Sequence, residues 1–421
     1  MTTDTSTAAG RAVLHHDRYP TLDELTDAAH HFALRYPELC RVRTLGTSRE
    51  GRPLILLTIG HGPDHVLALS GAHADEFSGR AGLLELAHRV LARPDLHETR
   101  TWHLLLCLDP DGAHLAEGSL TARTLPDYFA GYYRPAADEQ PEWAPAIGGR
   151  LPESRILLDL IDELRPSLQL SLHTADVGGT FTQCTFDAPA LAEPFAKSAA
   201  ELAIPIETGS YDTFRLHTSG PGVFLMAPHH IDHQEHTTGM LTPGAGAEAG
   251  TWFAPQRHGG GTVIVEVPAF TTDHLGDTRP ADDAPERLTA CAARLRERGT
   301  RLTQLLDAAR PDDSALLRAL HTQLTALRQL ADQWDPHAGG QDLPHPGHLT
   351  RAQLAGIDLW SHRIPVRAAA LLRRAAGPGP AGALLRDWCA QYERRFAPVW
   401  LPVARQAAHH ANTAEAAVRP A

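Results

Sequence analysis

Between Leu54 and Val267 short apolar runs alternate with helical segments, and this alternation limits the fold more than any other feature. Leu54 to Ile59, Val66 to Ser70, Trp102 to Leu108, Leu168 to Leu172 and Thr262 to Val267 are dominated by apolar and β-branched residues. Ala81 to Leu91, Ser154 to Leu164 and Ala190 to Leu202 have helical spacing. Leu22 to Tyr36 has it too, with Thr21 placed as an N-cap and Glu24 three residues on, the pattern of a capping box. Continuous apolar strands need cover on both faces, so the alternation predicts an α/β sheet between helical layers.

After about residue 280 the pattern changes. Pro285 to Ala309, Asp313 to Trp334 and Thr350 to Ala376 are helical and rich in Leu, Ala and Arg. Asp335 to Pro346 reads as a loop, and Gly377-Pro378-Gly379-Pro380 as a break. A length of 421 residues exceeds one ordinary domain. The expected organisation is a flexible N-terminus (1–18), a catalytic domain (19–280) and a mostly helical extension (281–421).

Composition excludes several classes of function. The net charge of −12 and the lack of a long basic run argue against nucleic-acid binding. No apolar run is long enough to span a membrane. Residues 1–18 lack the charged start and apolar core of a leader, so secretion is not indicated. The five cysteines are scattered, none in a C-x-x-C pair, and read as buried thiols of a reducing, cytoplasmic setting. Oligomeric state is undecided.

Four segments carry chemistry. His73-x-x-Glu76 follows the run Val66 to Ser70. Asp109-Pro110-Asp111-Gly112 lies where Trp102 to Leu108 ends. His173 sits at the carboxyl end of Leu168 to Leu172. Glu266 lies inside Thr262 to Val267. Histidine and carboxylate suit zinc, and three protein ligands leave one position for water. A glutamate in a Val-rich strand is costly unless it has a partner or a task, and burial raises its pKa toward the range of a general base. If His73, Glu76 and His173 hold one zinc ion, Glu266 is placed to take the proton of the activated water.

In order and character these segments resemble the zinc carboxypeptidases of the M14 family: H-x-x-E, a variant of N-P-D-G, a strand-end His, then a strand Glu. Ser48-Arg49-Glu50-Gly51-Arg52-Pro53 resembles the family's S-x-E-G-R-P lead-in. The resemblance covers roughly residues 20–270. It implies an α/β/α sandwich with a mixed eight-stranded sheet, His73, Glu76 and His173 as zinc ligands, and Glu266 as catalytic base. It also implies an arginine that stabilises the oxyanion. Arg123 is the positional match, with Arg134 as competitor. The family's Asn-Arg pair for a terminal carboxylate is absent from 113–172. So is a tyrosine about twenty residues before Glu266, Tyr211 lying far upstream.

The expected activity is hydrolysis of a peptide or amide bond by metal-activated water, on a peptide or an acyl-amino acid. An N-acyl amino acid deacylase of the aspartoacylase type and an inactive binding module are the alternatives. The histidine-rich segment Pro228 to His236 reads as a solvated loop, with the substrate rim and a second metal site as the other readings, and Glu142-Trp143 as a packed loop with the pocket rim as the other reading.

Overall fold

The computed structural model describes residues 17–214, 216–226, 249–338 and 348–419. The segment Pro228 to His236 lies outside them. Helix α1 (Leu22–Arg35) starts with the expected box: Glu24 N–H donates to Thr21 Oγ1, and Thr21 N–H donates to the Glu24 carboxylate. The strands β1 (Cys40–Thr47), β2 (Pro53–Ile59) and β3 (Asp64–Ser70) follow. Next come α2 (Ser78–Ala92), α3 (Pro94–His97), β4 (Arg100–Leu105), α4 (Pro110–Ala116), α5 (Leu125–Ala130) and α6 (Pro152–Leu164). After β5 (Leu168–His173), β6 (Val177–Gly178) and β7 (Phe181–Cys184) comes α7 (Pro189–Glu201), then β8 (His217–Gly220), β9 (Val223–Leu225), β10 (Gly261–Glu266) and β11 (Phe270–Thr271).

Among the described residues the main sheet has nine strands in the order β1-β2-β4-β3-β5-β10-β7-β9-β8, where eight were expected. The edge strand β8 is short, polar and half exposed, with none of the apolar character that marks the central strands. The sheet is mixed. β4, β3, β5 and β10 run parallel at its centre, with antiparallel partners outside them.

Period-two alternation divides the apolar side chains between two cores. Val66, Ala68, Leu170, Val263 and Val265 pack with α1, α2 and α7 on one face. Leu54, Leu56, Leu67, Leu69 and Leu105 pack with Leu157, Leu160 and Ile161 of α6 on the other.

The chain after residue 280 forms α8 (Ala284–Ala309), α9 (Ala315–Trp334), α10 (Arg351–Ala376), α11 (Gly379–Phe396), the short β12 (Val399–Trp400) and α12 (Val403–Ala417). Helix α10 is buried almost all round among α8, α9 and α11. The last helix, α12, leaves this group and packs against α2 and α7 in one of the sandwich layers. Its His410 contacts Ser78 Oγ at 2.8 Å. Among the described residues no helix is long and apolar enough to cross a membrane.

Candidate metal centre and active site

The adjacent parallel strands β3, β5 and β10 bring three chain segments together at their carboxyl ends. Ser70 pairs with Leu172, and His173 with Glu266, so the residues that follow β3 face the ends of the other two. The chain leaves β3 toward β4 on one side, and β5 lies on the other. This is a topological switch point, where open α/β sheets bind ligands.

His73 and Glu76 lie in the turn between β3 and α2. Gly71, at φ +63°, directs the chain into that turn, and a Cβ there would run into Cys107 Sγ. The turn is tied to β5 from both sides. Thr174 N–H donates to Glu76 Oε2 at 3.1 Å, and Ser78 N–H donates to Thr174 Oγ1 at 2.9 Å. Gly79 allows this approach, because a side chain there would strike the Leu172 carbonyl.

Donor atoms of His73, Glu76 and His173 all lie within 4.8 Å of one another. His173 Nδ1 is 2.8 Å from Glu76 Oε2 and 3.8 Å from Glu266 Oε1. Among the described residues, His73 Nδ1 is buried with no hydrogen-bond partner. An orphaned imidazole nitrogen beside a carboxylate and a second imidazole fits a metal ion. The electrostatics agree. Burial, reinforced by Arg134, holds His73 well below its ordinary pKa, so the ring is neutral as a ligand must be. Burial alone would raise Glu76, but His73, Arg134 and His173 outweigh it and keep the carboxylate ionised.

The far side of His173 supplies an orienting relay. Nε2 lies 2.8 Å from Ser171 Oγ and 3.1 Å from Glu142 Oε2. Ser171 Oγ donates to Glu142 Oε1 at 2.6 Å. With the serine proton committed to Glu142, Nε2–H donates to the serine oxygen, which turns Nδ1 toward Glu76 and the site. Glu142 is fully buried. The sequence singled out the Glu142-Trp143 pair as a loop or rim feature without this role. Trp143 does line the cavity, and no spacing links residue 142 to residue 173.

Glu266 ends β10 with 17% of its side chain exposed. Burial, with the Glu76 carboxylate second, pushes its pKa up to about 8.

The two candidate arginines separate cleanly. Arg123 is exposed, donates to the Asp17 carbonyl at 3.1 Å and lies outside the cavity, so the positional match does not reach the site. Arg134 lines the cavity. Its Nε donates to Asp75 Oδ1 at 2.8 Å and its Nη2 to Glu76. Nη1 has no protein acceptor among the described residues. Counting residues from Gly112 misplaces this arginine because α5 and its flanking turns intervene.

Tyr211 lies outside the cavity, its hydroxyl donating to Gln333 Oε1 at 2.8 Å. Ser48 Oγ donates to Asp111 Oδ1 at 2.7 Å, and Arg52 Nη1 to the same oxygen at 2.8 Å. Arg49 pairs with Asp109 and Glu153. The lead-in and the Asp109-Pro110-Asp111-Gly112 turn are therefore one structural lock.

The cavity wall includes Trp360 and Arg367 of α10. Arg363 and Arg367 both pair with Asp176, and Arg367 reaches Asp75 at 3.6 Å. A buried chain of charges thus connects α10 to Glu76 through Asp176, Arg367, Asp75 and Arg134. The sequence offered no sign of it, because these arginines resemble the many others in 281–421.

Residues 25–125 match the family model described as zinc carboxypeptidase. This stretch is zinc carboxypeptidase-like. It holds His73 and Glu76 but ends before His173 and Glu266. Solved structures similar to the chain include carboxypeptidase A from Helicoverpa armigera, 17% identical over 61% of this chain and 66% of that one, with a TM-score of 0.43. A metallo-carboxypeptidase from Burkholderia cenocepacia is 18% identical over 57% of this chain and 59% of that one, with a TM-score of 0.34. Bovine thrombin-activatable fibrinolysis inhibitor is 14% identical over 60% of this chain and 87% of that one, with a TM-score of 0.37. The chain therefore spans less than two thirds of the first two carboxypeptidases. No curated protein sequence matches it.

Proposed function

We propose that the protein is a zinc-dependent hydrolase of a peptide or amide bond, with His73, Glu76 and His173 as the metal ligands and Glu266 as the general base. The observation that carries this reading is the convergence of an unpartnered His73 Nδ1, the Glu76 carboxylate and His173 Nδ1 on a cavity that Glu266 also lines. A zinc ion held there supplies Lewis acidity, polarising an acyl carbonyl and acidifying water.

The chain's own groups do the rest. Glu266 takes the proton of the attacking water and passes it to the leaving nitrogen; burial and the neighbouring Glu76 carboxylate raise its affinity for that proton. Arg134, which lines the cavity and whose Nη1 has no protein acceptor among the described residues, is the group that stabilises the charge developing on the carbonyl oxygen, while Asp75 and Glu76 hold the guanidinium in place. Ser171 and Glu142 fix the His173 tautomer. The substrate is a peptide or an acyl-amino acid.

Glu266→Gln is expected to retain zinc by elemental analysis and to lose turnover by roughly 10²–10⁴-fold on a panel of C-terminally free peptides and N-acyl amino acids. His73→Ala and His173→Ala are expected to lose the metal. Wild-type turnover in the first variant, or full zinc in the others, would overturn the assignment. The same panel separates a carboxypeptidase from a deacylase.

A further inference from the structure

A cleft of about 430 Å³ opens among α8, α10 and α11, and it shares no lining residue with the cavity of the metal centre. Arg287 and Arg294, two turns apart on one face of α8, line it together with Arg395 from the last turn of α11. All three reach one carboxylate, Asp358 of α10. Arg294 Nη1 lies 2.9 Å from Asp358 Oδ1, while Arg395 Nη2 and Arg287 Nη2 lie 2.7 and 3.5 Å from Oδ2. Burial alone would raise the Asp358 pKa, but Arg294 and Arg395 outweigh it and keep the carboxylate ionised.

One carboxylate does not balance this group. Asp283, at the N-cap of α8, is the other acid of the lining. Arg298, one turn beyond Arg294, is buried, and its Nη1 has no partner among the described residues. Its Nη2 donates to the neutral Gln391 side chain, and Glu297 and Asp387, which also act on it, are exposed to water. Burial and then Arg294 push the Arg298 pKa down to about 10, a sign of surplus positive charge. Four guanidiniums are thus gathered around two carboxylates, in a chain of net charge −12.

The three lining arginines also keep donors free. Nε and Nη1 of Arg287, Nε and Nη2 of Arg294 and Nη1 of Arg395 have no protein acceptor among the described residues. Their side chains are half-buried, so an anion reaches them from solvent while Asp358 holds them in place. Guanidinium forks converging from three points suit an anion with oxygens in several directions, as in a phosphate, better than a planar carboxylate. A dianion also offsets the excess of two charges.

We propose that this cleft binds a phosphate-type dianion, inorganic phosphate or a phosphomonoester, between Arg287, Arg294 and Arg395. The inference does not rest on the hydrolase reading.

The test is calorimetric titration of the full chain at constant ionic strength with inorganic phosphate, glycerol phosphate and acetate, with circular dichroism checked for each variant. Phosphate is expected to bind about tenfold or more tighter than acetate. Tighter binding of glycerol phosphate assigns the site to a phosphomonoester, and tighter binding of the free ion assigns it to inorganic phosphate. Arg287→Gln is expected to weaken binding about tenfold, and Arg287→Lys to weaken it less. Ala290→Glu sets a carboxylate at an exposed position of the cleft lining, removes no arginine and is expected to abolish binding. Phosphate binding no tighter than that of acetate would sink the proposal. So would phosphate binding undiminished in folded Ala290→Glu and Arg287→Gln, which would place the anion at another site such as Arg134 and the metal centre.

Discussion

Single residues set the state of the centre. Two imidazoles stand within a few ångströms of each other and are driven in opposite directions. Burial and Arg134 keep His73 neutral, whereas Glu142 and Glu76 together outweigh burial and lift His173 well above its ordinary value. A proton on His173 Nδ1 thus lies between carboxylates where a metal would bind, and Nε2 is held by Ser171 and Glu142 in either state. If that relay sets the ring's orientation, Glu142→Gln should weaken zinc binding by about 10- to 100-fold, measured by competition with a chelator, while His173 stays in place. Unchanged zinc affinity would mean that the strand alone orients the ring. The four candidate positions stood out in the sequence because each sets a histidine or a carboxylate within or just beyond an apolar run. Glu142 was not, since its partnership with His173 exists only in three dimensions. Arg134 was legible only as one of two, because counting along the chain cannot say which of two arginines in an irregular stretch turns inward.

At the scale of elements, the centre depends on how closely α2 approaches β5. Strand β5 is buried along its whole length and paired with β3 and β10 on its two sides, so the first turn of α2 has to fit against it. That turn has no side-chain cap of its own and relies on Thr174 for its Ser78 N–H. Gly79 removes the one side chain that would stand between the helix and the Leu172 carbonyl. Gly79→Ala is therefore expected to push α2 off the strand, stretch the Thr174-to-Glu76 bond and separate Glu76 from His173. Zinc affinity should fall, and stability should drop by about 1–3 kcal/mol, the usual cost of overpacking. Urea denaturation and zinc titration of the same variant check both. Wild-type values in the two would show that the helix has slack. The central strands and α2 could be read from apolar periodicity. The edge strand β8 could not, because a short half-exposed strand carries no such pattern.

For the whole molecule, the chain after residue 280 is interleaved with the site-bearing sheet. Helix α10 supplies a cavity wall, and α12 completes a sandwich layer. Composition showed that this region is helical. It could not show where the helices go, since Leu- and Ala-rich faces fit any apolar neighbour. The attachment of α12 has a chemical signature in His409. This side chain is fully buried, with Nδ1 2.7 Å from Ser198 Oγ and Nε2 3.0 Å from Thr180 Oγ1. Burial lowers its pKa to about 3. The native state therefore holds the ring neutral where an unfolded chain, with a histidine pKa near 6.5, takes up a proton. Because the native pKa is depressed, its contribution is complete above about pH 6.5 and is lost as pH falls toward about 3. Each such proton costs about 1.4 kcal/mol per pH unit within that window. His362, lowered to about 3 by burial and by Arg294 and Arg298, adds a second proton of the same sign. The urea midpoint of the metal-free protein should fall between pH 6.5 and 4. His409→Gln, which retains hydrogen-bonding capacity but cannot take up the proton, should flatten that fall by about one proton's worth. The comparison is made as the difference between wild type and variant, which cancels the opposite contribution of His173. A variant whose midpoint tracks the wild type throughout this range would mean that α12 docks without a titrating histidine at its centre.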